Sequence, residues 1–208
     1  MDLTLVNQSV GDLPWMRFAD AQYVAEFLQR HRLRRVLEFG HMHGVSTCYL
    51  AAAVDDLDGN VVTVDIPQAL EQKPNLEELL LRTGLKARVT IRRHRGGAAW
   101  EMLAMLESNP RPQFDFVYVD ADHSWAGTAI QFYLVDNLLV PGGWILFDDL
   151  NYTIEAASCS NSSWARSLTQ EERHTRQVGK VWELLVRPHP NYDRFIERGN
   201  WGFAHKRS

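Results

Sequence analysis

Short apolar runs alternate with amphipathic stretches along most of this 208-residue chain. Five runs, RRVLEFG, VVTVDI, ARVTIRR, FDFVYVD and WILFDD, are short, rich in β-branched and aromatic residues, and bounded by turn residues. That is the signature of strands buried on both faces. The stretches between them repeat their apolar positions at helical spacing. A helix is predicted from Phe18 to Arg30, with Tyr23, Val24, Phe27 and Leu28 on its apolar face. Others follow over TCYLAAAV, over PNLEELLLRTGL between Pro74 and Gly84, and over GGAAWEMLAMLES up to Asn109-Pro110. AGTAIQFYLVDNLL completes the set, with Pro141-Gly142-Gly143 as its stop. Strands alternating with helices predict βαβ units and a parallel sheet.

The rhythm changes near the C-terminus. After a predicted helix, QVGKVWELLV, two β-like runs, YDRFIER and WGFAHKR, flank Gly199-Asn200 and predict a hairpin. The expectation is one α/β domain over 1–208: a mostly parallel seven-stranded sheet, helices on both faces, and a C-terminal antiparallel hairpin. Residues 1–30 form an N-terminal cap with its helix. Residues 151–176 are polar and weakly periodic. A long loop in a compact domain is usually functional or disordered. This one follows the fifth strand and reads as a substrate-side loop or lid, with a passive insert as the alternative.

Composition narrows the classes. The chain is 45% hydrophobic and 23% charged, as ordinary globular domains are. A net charge of −4 argues against nucleic-acid binding, which needs a basic surface. The one basic cluster, Arg92, Arg93 and Arg95 around His94, reads as a solvated strand end or, less simply, as a site for an anion. Cys48 falls in an apolar helix and Cys159 in a Ser/Asn-rich loop, a usage that fits a reducing cytoplasm. The N-terminus lacks the pattern of a signal peptide, and no apolar run reaches membrane-spanning length.

Chemistry gathers at the strand ends. Glu38-Phe39-Gly40-His41-Met42-His43-Gly44 lies between the first strand and its helix. One glycine there allows the tight turn, another lets a ligand approach the backbone, and the helix N-terminus offers free N–H groups. Asp65, at the end of the second strand, can accept hydrogen bonds from a ribose diol or serve as a helix N-cap. His41 and His43 could suggest zinc, but they lack soft companions. The fourth strand ends in Asp120, Asp122 and His123, the fifth in Asp148 and Asp149. Asp120, Asp148 and Asp149 are hard oxygen ligands suited to Mg2+, which keeps positions for waters and substrate oxygens. His123 can take a proton near neutral pH or orient a ligand. Asp122 reads as a local cap or as a hydrogen-bond partner near the cofactor. One of Asp148 and Asp149 could stand behind the other, and the acids could also act without a metal. Trp15, Trp125 and Trp164 fall in loop regions and are candidates for an aromatic pocket, whereas Trp144, Trp182 and Trp201 read as core.

Acidic residue, x-Gly-x-x-x-Gly, then Asp65, in strand–loop–helix–strand order, resembles the class I S-adenosylmethionine-dependent methyltransferases. Met42 departs from the Gly-x-Gly-x-x-Gly dinucleotide fingerprint. The final hairpin also fits those enzymes, since nicotinamide-binding sheets finish with parallel strands. The resemblance implies a Rossmann-like methyltransferase fold with S-adenosylmethionine as cofactor. It implies that Glu38, Gly40 and Gly44 shape the cofactor site, with the glycines along the methionine part. Ser46 would hold the carboxylate, Asp65 the ribose, and Gly97 and Ala98, beside Gly96, the adenine. VDADH followed by FDD is similar to metal-dependent small-molecule O-methyltransferases. His123 and Asp149 stand where catechol and caffeoyl-coenzyme A types carry lysine and asparagine, so the pattern is nearer the macrocin-type sugar O-methyltransferases. Carried over, Asp120, Asp148 and Asp149 hold the metal and His123 is the base. The expected activity is methyl transfer to a hydroxyl of a small molecule, a sugar or a phenolic or polyketide natural product. The alternative is a metal-free enzyme with a nitrogen or carboxylate acceptor. A homodimer is compatible with the resemblance, and neither nucleic acid nor membrane is an expected partner.

Overall fold

The structure, a computed structural model, describes residues 1–157 and 159–208. Five parallel strands carry the first part of the sheet: β1 Arg35–Phe39, β2 Asn60–Asp65, β3 Val89–Arg93, β4 Phe114–Val119 and β5 Leu139–Phe147. Two more, β6 Tyr192–Arg198 and β7 Trp201–Lys206, form the hairpin. The sheet order is β3-β2-β1-β4-β5-β7-β6, with β7 antiparallel to β5 and β6. Gly199, at φ 61°, supplies the left-handed φ that the first position of so short a turn favours.

The helices are α1 Leu3–Val10, α2 Phe18–His31, α3 Val45–Asp55, α4 Leu76–Thr83, α5 Gly97–Glu107, α6 Trp125–Asp136, α7 Ser163–Ser167, α8 Gln170–His174 and α9 Gln177–Val181, the last continued by a π turn over Trp182–Val186. They cover both faces. One core joins α1 to α4 to the sheet through residues such as Leu28, Tyr49, Leu50 and Phe116. The other joins α5, α6 and α9 through Met102, Phe132, Phe147 and Trp182. Each face of the sheet is therefore apolar, which is why the parallel strands read as unbroken hydrophobic runs. No helix among the described residues is long and apolar enough to cross a membrane.

Two elements differ from expectation. Pro141-Gly142-Gly143 does not end α6, which stops at Asp136; it lies inside β5. The register there jumps from Phe114↔Leu139 to Phe116↔Trp144, and such an irregularity accommodates proline in a sheet. The other is α1, which precedes the predicted Phe18 helix. Asp2 caps it by accepting from Thr4 N, and its Val6 and Val10 reach the core.

Candidate active site

The strand order reverses between β1 and β4, because β1 leads to β2 and β3 on one side while β4 and β5 lie on the other. Ligands of open α/β sheets bind in the crevice at such a point. Pairing continues one residue past the strands. Gly40 N donates to Val64 O at 2.9 Å, Asp120 N to Phe39 O at 3.0 Å, and Asp148 N to Val119 O at 3.1 Å. Three chemistry-bearing positions are thus brought to one edge. A cavity of 860 Å³ opens there, running from Gly97 and Ala98 past Asp65 and Gly40 to Asp120, His123, Asp148 and Asp149.

On the β1–β2 side the site is made largely of backbone. Gly40 has φ 84°, and a Cβ on it would collide with the carbonyl oxygen of Asp120. Asp65 lines the cavity, with its carboxylate accepting from His41 N and Met42 N, both at 2.8 Å, and from Ile66 N at 2.7 Å. Three of roughly four acceptor positions on a carboxylate are therefore taken, and the group also shapes the loop. Gly96 and Ala99 join Gly97 and Ala98 in the wall.

Two residues expected at the cofactor site are tied to neighbouring elements. Glu38 is fully buried and lines no part of the cavity. Its carboxylate accepts from Ser46 Oγ at 2.6 Å, Thr47 Oγ1 at 2.5 Å and Thr63 Oγ1 at 2.7 Å. Burial pushes it up to about 7, against those three hydroxyls, which pull the other way. Gly44 faces α4 instead of a ligand, since a Cβ there would strike Leu76. Its φ of 97° starts α3 without a side-chain cap. Ser46 lies where the resemblance put it, at that helix start, beside a small 40 Å³ recess shared with Gly40, His41 and Asp120. His41 Nδ1 sits 3.2 Å from Met42 O, which can only accept. So Nδ1 carries the proton, and the buried Nε2 is an acceptor with no partner among the described residues. Burial lowers the pKa of this imidazole, which keeps it neutral.

On the β4–β5 side the site is made of side chains. One ligand atom each from Asp120, His123 and Asp149 can be chosen so that all lie within 4.8 Å. His123 Nε2 is 3.0 Å from Asp149 Oδ2 and 3.7 Å from Asp120 Oδ1. Burial works against a charged imidazole, but the two carboxylates outweigh it and push His123 up to about 10. Burial likewise raises Asp120 to about 8, opposed by its bond to His123. Here the structure departs from the expected trio of Asp120, Asp148 and Asp149. Asp148 lines the cavity, yet its carboxylate accepts from Tyr118 Oη and from Asp149 N and stands outside the close group. Asp149 has φ 59°, a left-handed backbone that sends its side chain toward His123.

The 151–176 segment does reach the cavity. It contains α7 and α8, and its Tyr152 packs on His123 with ring centroids 4.5 Å apart. Cys159 and Trp164 line the same space, as does Trp15. Trp125 does not: its backbone N at the start of α6 donates to Gln177. Trp144, Trp182 and Trp201 are core. Asp122 accepts from Ser124 N and lines the cavity, while Ser124 itself caps α6. Arg93 is tied to Glu77 by two bonds and Arg92 pairs with Glu101, so these arginines brace β3 and line no cavity wall here. Both cysteines are free thiols. Sequence reasoning missed Tyr118, Tyr152 and Asn200, whose Nδ2 donates to Asp149 Oδ1 at 2.6 Å. Only Asn200 carried a signal, and that signal was for a turn.

A sheet closed by an inserted antiparallel strand, with a glycine loop and an acid at the first two strand ends, defines the class I S-adenosylmethionine-dependent methyltransferase fold. A methyltransferase-domain family profile matches residues 37–150, more than half of the chain, and the chain belongs to that family. Solved structures agree in fold. TomG of Streptomyces achromogenes, an O-methyltransferase involved in tomaymycin synthesis and solved with SAM, is 19% identical at a TM-score of 0.71; the match covers 99% of this chain and 89% of TomG. An O-methyltransferase of Bacillus cereus in complex with SAH is 21% identical at a TM-score of 0.70, covering 99% and 90%. The SAH-bound methyltransferase PaMTH1 of Podospora anserina is 18% identical at 0.68, covering 99% and 87%. No curated protein matches the chain in sequence.

Proposed function

We propose that this methyltransferase moves a methyl group to a hydroxyl oxygen of a small molecule, a sugar or a phenolic or polyketide compound. In this reading His123 takes the acceptor's proton and a divalent cation, Mg2+ by ligand type, is held by Asp120 and Asp149. The observation that carries it is the meeting of Asp120, His123 and Asp149 in the same cavity as Gly40 and Asp65. Support by likeness comes from TomG and the Bacillus cereus enzyme, both O-methyltransferases.

The residues present fit both groups. S-adenosylmethionine supplies an electrophilic methyl group when bound. The crevice beside Gly40 admits backbone approach, which suits the methionine part of the cofactor. Asp65 retains acceptor capacity for a ribose hydroxyl, and Gly97 and Ala98 leave open wall without long side chains for adenine. A divalent cation would supply Lewis acidity toward an acceptor oxygen, and the carboxylates of Asp120 and Asp149 are hard oxygen donors that leave positions for waters and the acceptor. Asp148 then acts as a positioning residue, since its bonds to Tyr118 and Asp149 N hold the turn that aims Asp149.

His123 meets the geometric requirements of a base, and a cation on Asp120 and Asp149 would offset the two carboxylates that otherwise hold its imidazole protonated. Asp149 orients its Nε2 edge and Tyr152 packs on its ring. The test is transfer from labelled S-adenosylmethionine to a panel of catechol and sugar acceptors. His123→Ala should lower turnover by about 10²–10⁴-fold while calorimetry finds S-adenosylhomocysteine binding unchanged. Undiminished turnover in that variant would overturn the base assignment. A second reading has its own observation: His123 Nε2 lies 3.0 Å from Asp149 Oδ2, a carboxylate–imidazole pair that can move a proton by itself. It is a metal-free methyltransferase, with a nitrogen or carboxylate acceptor. Chelation followed by Mg2+ addition separates the two, because loss and recovery of turnover favours the first and full chelator-resistant turnover the second.

A further inference from the structure

Beyond Asp149 the crevice continues into a second cavity of 480 Å³, between the N-terminal segment and the β6–β7 turn. The two cavities share Trp15, Asp148 and Asp149. An acceptor whose hydroxyl reaches His123 can therefore extend into this space. The wall away from the catalytic acids carries two arginines and one acid. Arg17 Nε donates to Asp20 Oδ2 at 2.8 Å, and Arg198 Nη1 donates to Oδ1 of the same carboxylate at 3.3 Å. Two guanidinium groups on one carboxylate leave a positive charge. Each arginine has used one of its five N–H donors among the described residues.

Arg198 is also held in place. Its guanidinium carbon lies 4.2 Å from the centroid of the Tyr23 ring and 5.9 Å from that of Trp201. Stacking fixes the plane of the group without occupying its in-plane donors. A guanidinium so oriented loses little freedom when it binds a planar or tetrahedral anion. Asp148 and Asp149 line the opposite wall and neither pairs with Arg17 or Arg198 among the described residues; the His123 imidazolium, and a cation held at Asp120 and Asp149, would offset their charge. Trp15 stands where the cavities meet, 60% exposed, with φ 96°. That backbone region is strained for a bulky residue, and such strain clusters at functional sites.

We infer that the acceptor carries an anionic group, a carboxylate or a phosphate, which Arg198 and Arg17 bind while its hydroxyl lies at His123. The placement of the hydroxyl rests on the O-methyl-transfer reading; recognition of the anion is measured separately, by binding. Tryptophan fluorescence of the S-adenosylhomocysteine-loaded protein is titrated with two pairs of probes. One pair is 3,4-dihydroxybenzoate and 3,4-dihydroxybenzamide; the other is glucose 6-phosphate and glucose. At least one anion should bind about tenfold or more tightly than its neutral counterpart, and the pair that shows this tells carboxylate from phosphate. The preference should fall to about unity in Arg198→Gln and drop in Arg17→Gln. The second variant guards against misfolding, since the Arg17 side chain is 87% exposed. Equal binding within both pairs, or a preference that survives both substitutions, overturns the inference. A preference without methyl transfer would instead count against the O-methyl-transfer reading and leave the arginine site standing.

Discussion

The two sides of the crevice are built from different materials. Around β1 and β2 the wall is backbone, tied down by carboxylates of the same two strands: Asp65 ties the loop after β1, and Glu38 gathers hydroxyls from α3 and β2. Around β4, β5 and the hairpin it is side chains brought from far apart in sequence. Asp149 is held by Asn200, His123 is packed by Tyr152, and Trp15 reaches in from the N-terminal segment. The first construction suits a cofactor of constant shape. The second suits an acceptor that differs between relatives, because loop side chains can change without disturbing the sheet.

Gly40 is where the comparison is easiest to break. Its φ of 84° disfavours any side chain, and its missing Cβ lets the loop touch the end of β4. Gly40→Ala should weaken S-adenosylhomocysteine binding by more than about tenfold and lower stability by about 1–3 kcal/mol, read by calorimetry and thermal unfolding. A variant that binds as tightly as the wild type would mean that the wall is not rigid backbone.

Glu38 sharpens the same contrast. Its folded pKa of about 7 lies above the usual carboxyl value. The stability this group contributes is therefore fully present below about 4.5 and is lost as pH rises through 7. A shift of that size corresponds to about 3 kcal/mol across the window, as an order of magnitude. Glu38→Gln should lose less stability than the wild type between pH 5 and pH 8 in urea unfolding. Parallel curves would show that the buried carboxyl is ionised throughout.

Legibility followed the same division. Buried parallel strands are continuous apolar runs, so β1 to β4 and the residues just past their ends could be located by counting: Gly40, Asp65, Asp120 and His123 all reach the cavity. Counting does not give direction. Glu38 and Gly44 sit close in sequence to the cofactor wall and point to hydroxyls and to Leu76 instead. Asp148 and Asp149 are neighbours with the same chemistry, and a left-handed φ at Asp149 decides which one meets His123. No local pattern announces that φ on an aspartate. The partners Tyr118, Tyr152 and Asn200 are set by tertiary packing, and the early start of β5 was hidden because Pro141-Gly142-Gly143 reads as a stop.

The acceptor side makes the opposite prediction about what a single side chain controls. Asn200 donates to Asp149 Oδ1 at 2.6 Å and, through its own Oδ1, accepts from Asn151 N at 2.9 Å. It thus ties the hairpin turn both to Asp149 and to the start of the 151–176 segment. Its backbone carbonyl, which accepts from Leu150 N, survives substitution, so the turn itself should remain. Asn200→Ala removes one bond to a charged group and one to backbone, a loss of about 1–3 kcal/mol in stability. Because the lost bonds aim Asp149, turnover should fall further than that change in folding alone would produce. S-adenosylhomocysteine affinity should stay at the wild-type value, since nothing on the β1–β2 wall touches Asn200. Calorimetry of the variant beside its turnover tests the division directly: a matched loss in both would mean that the two walls move as one body.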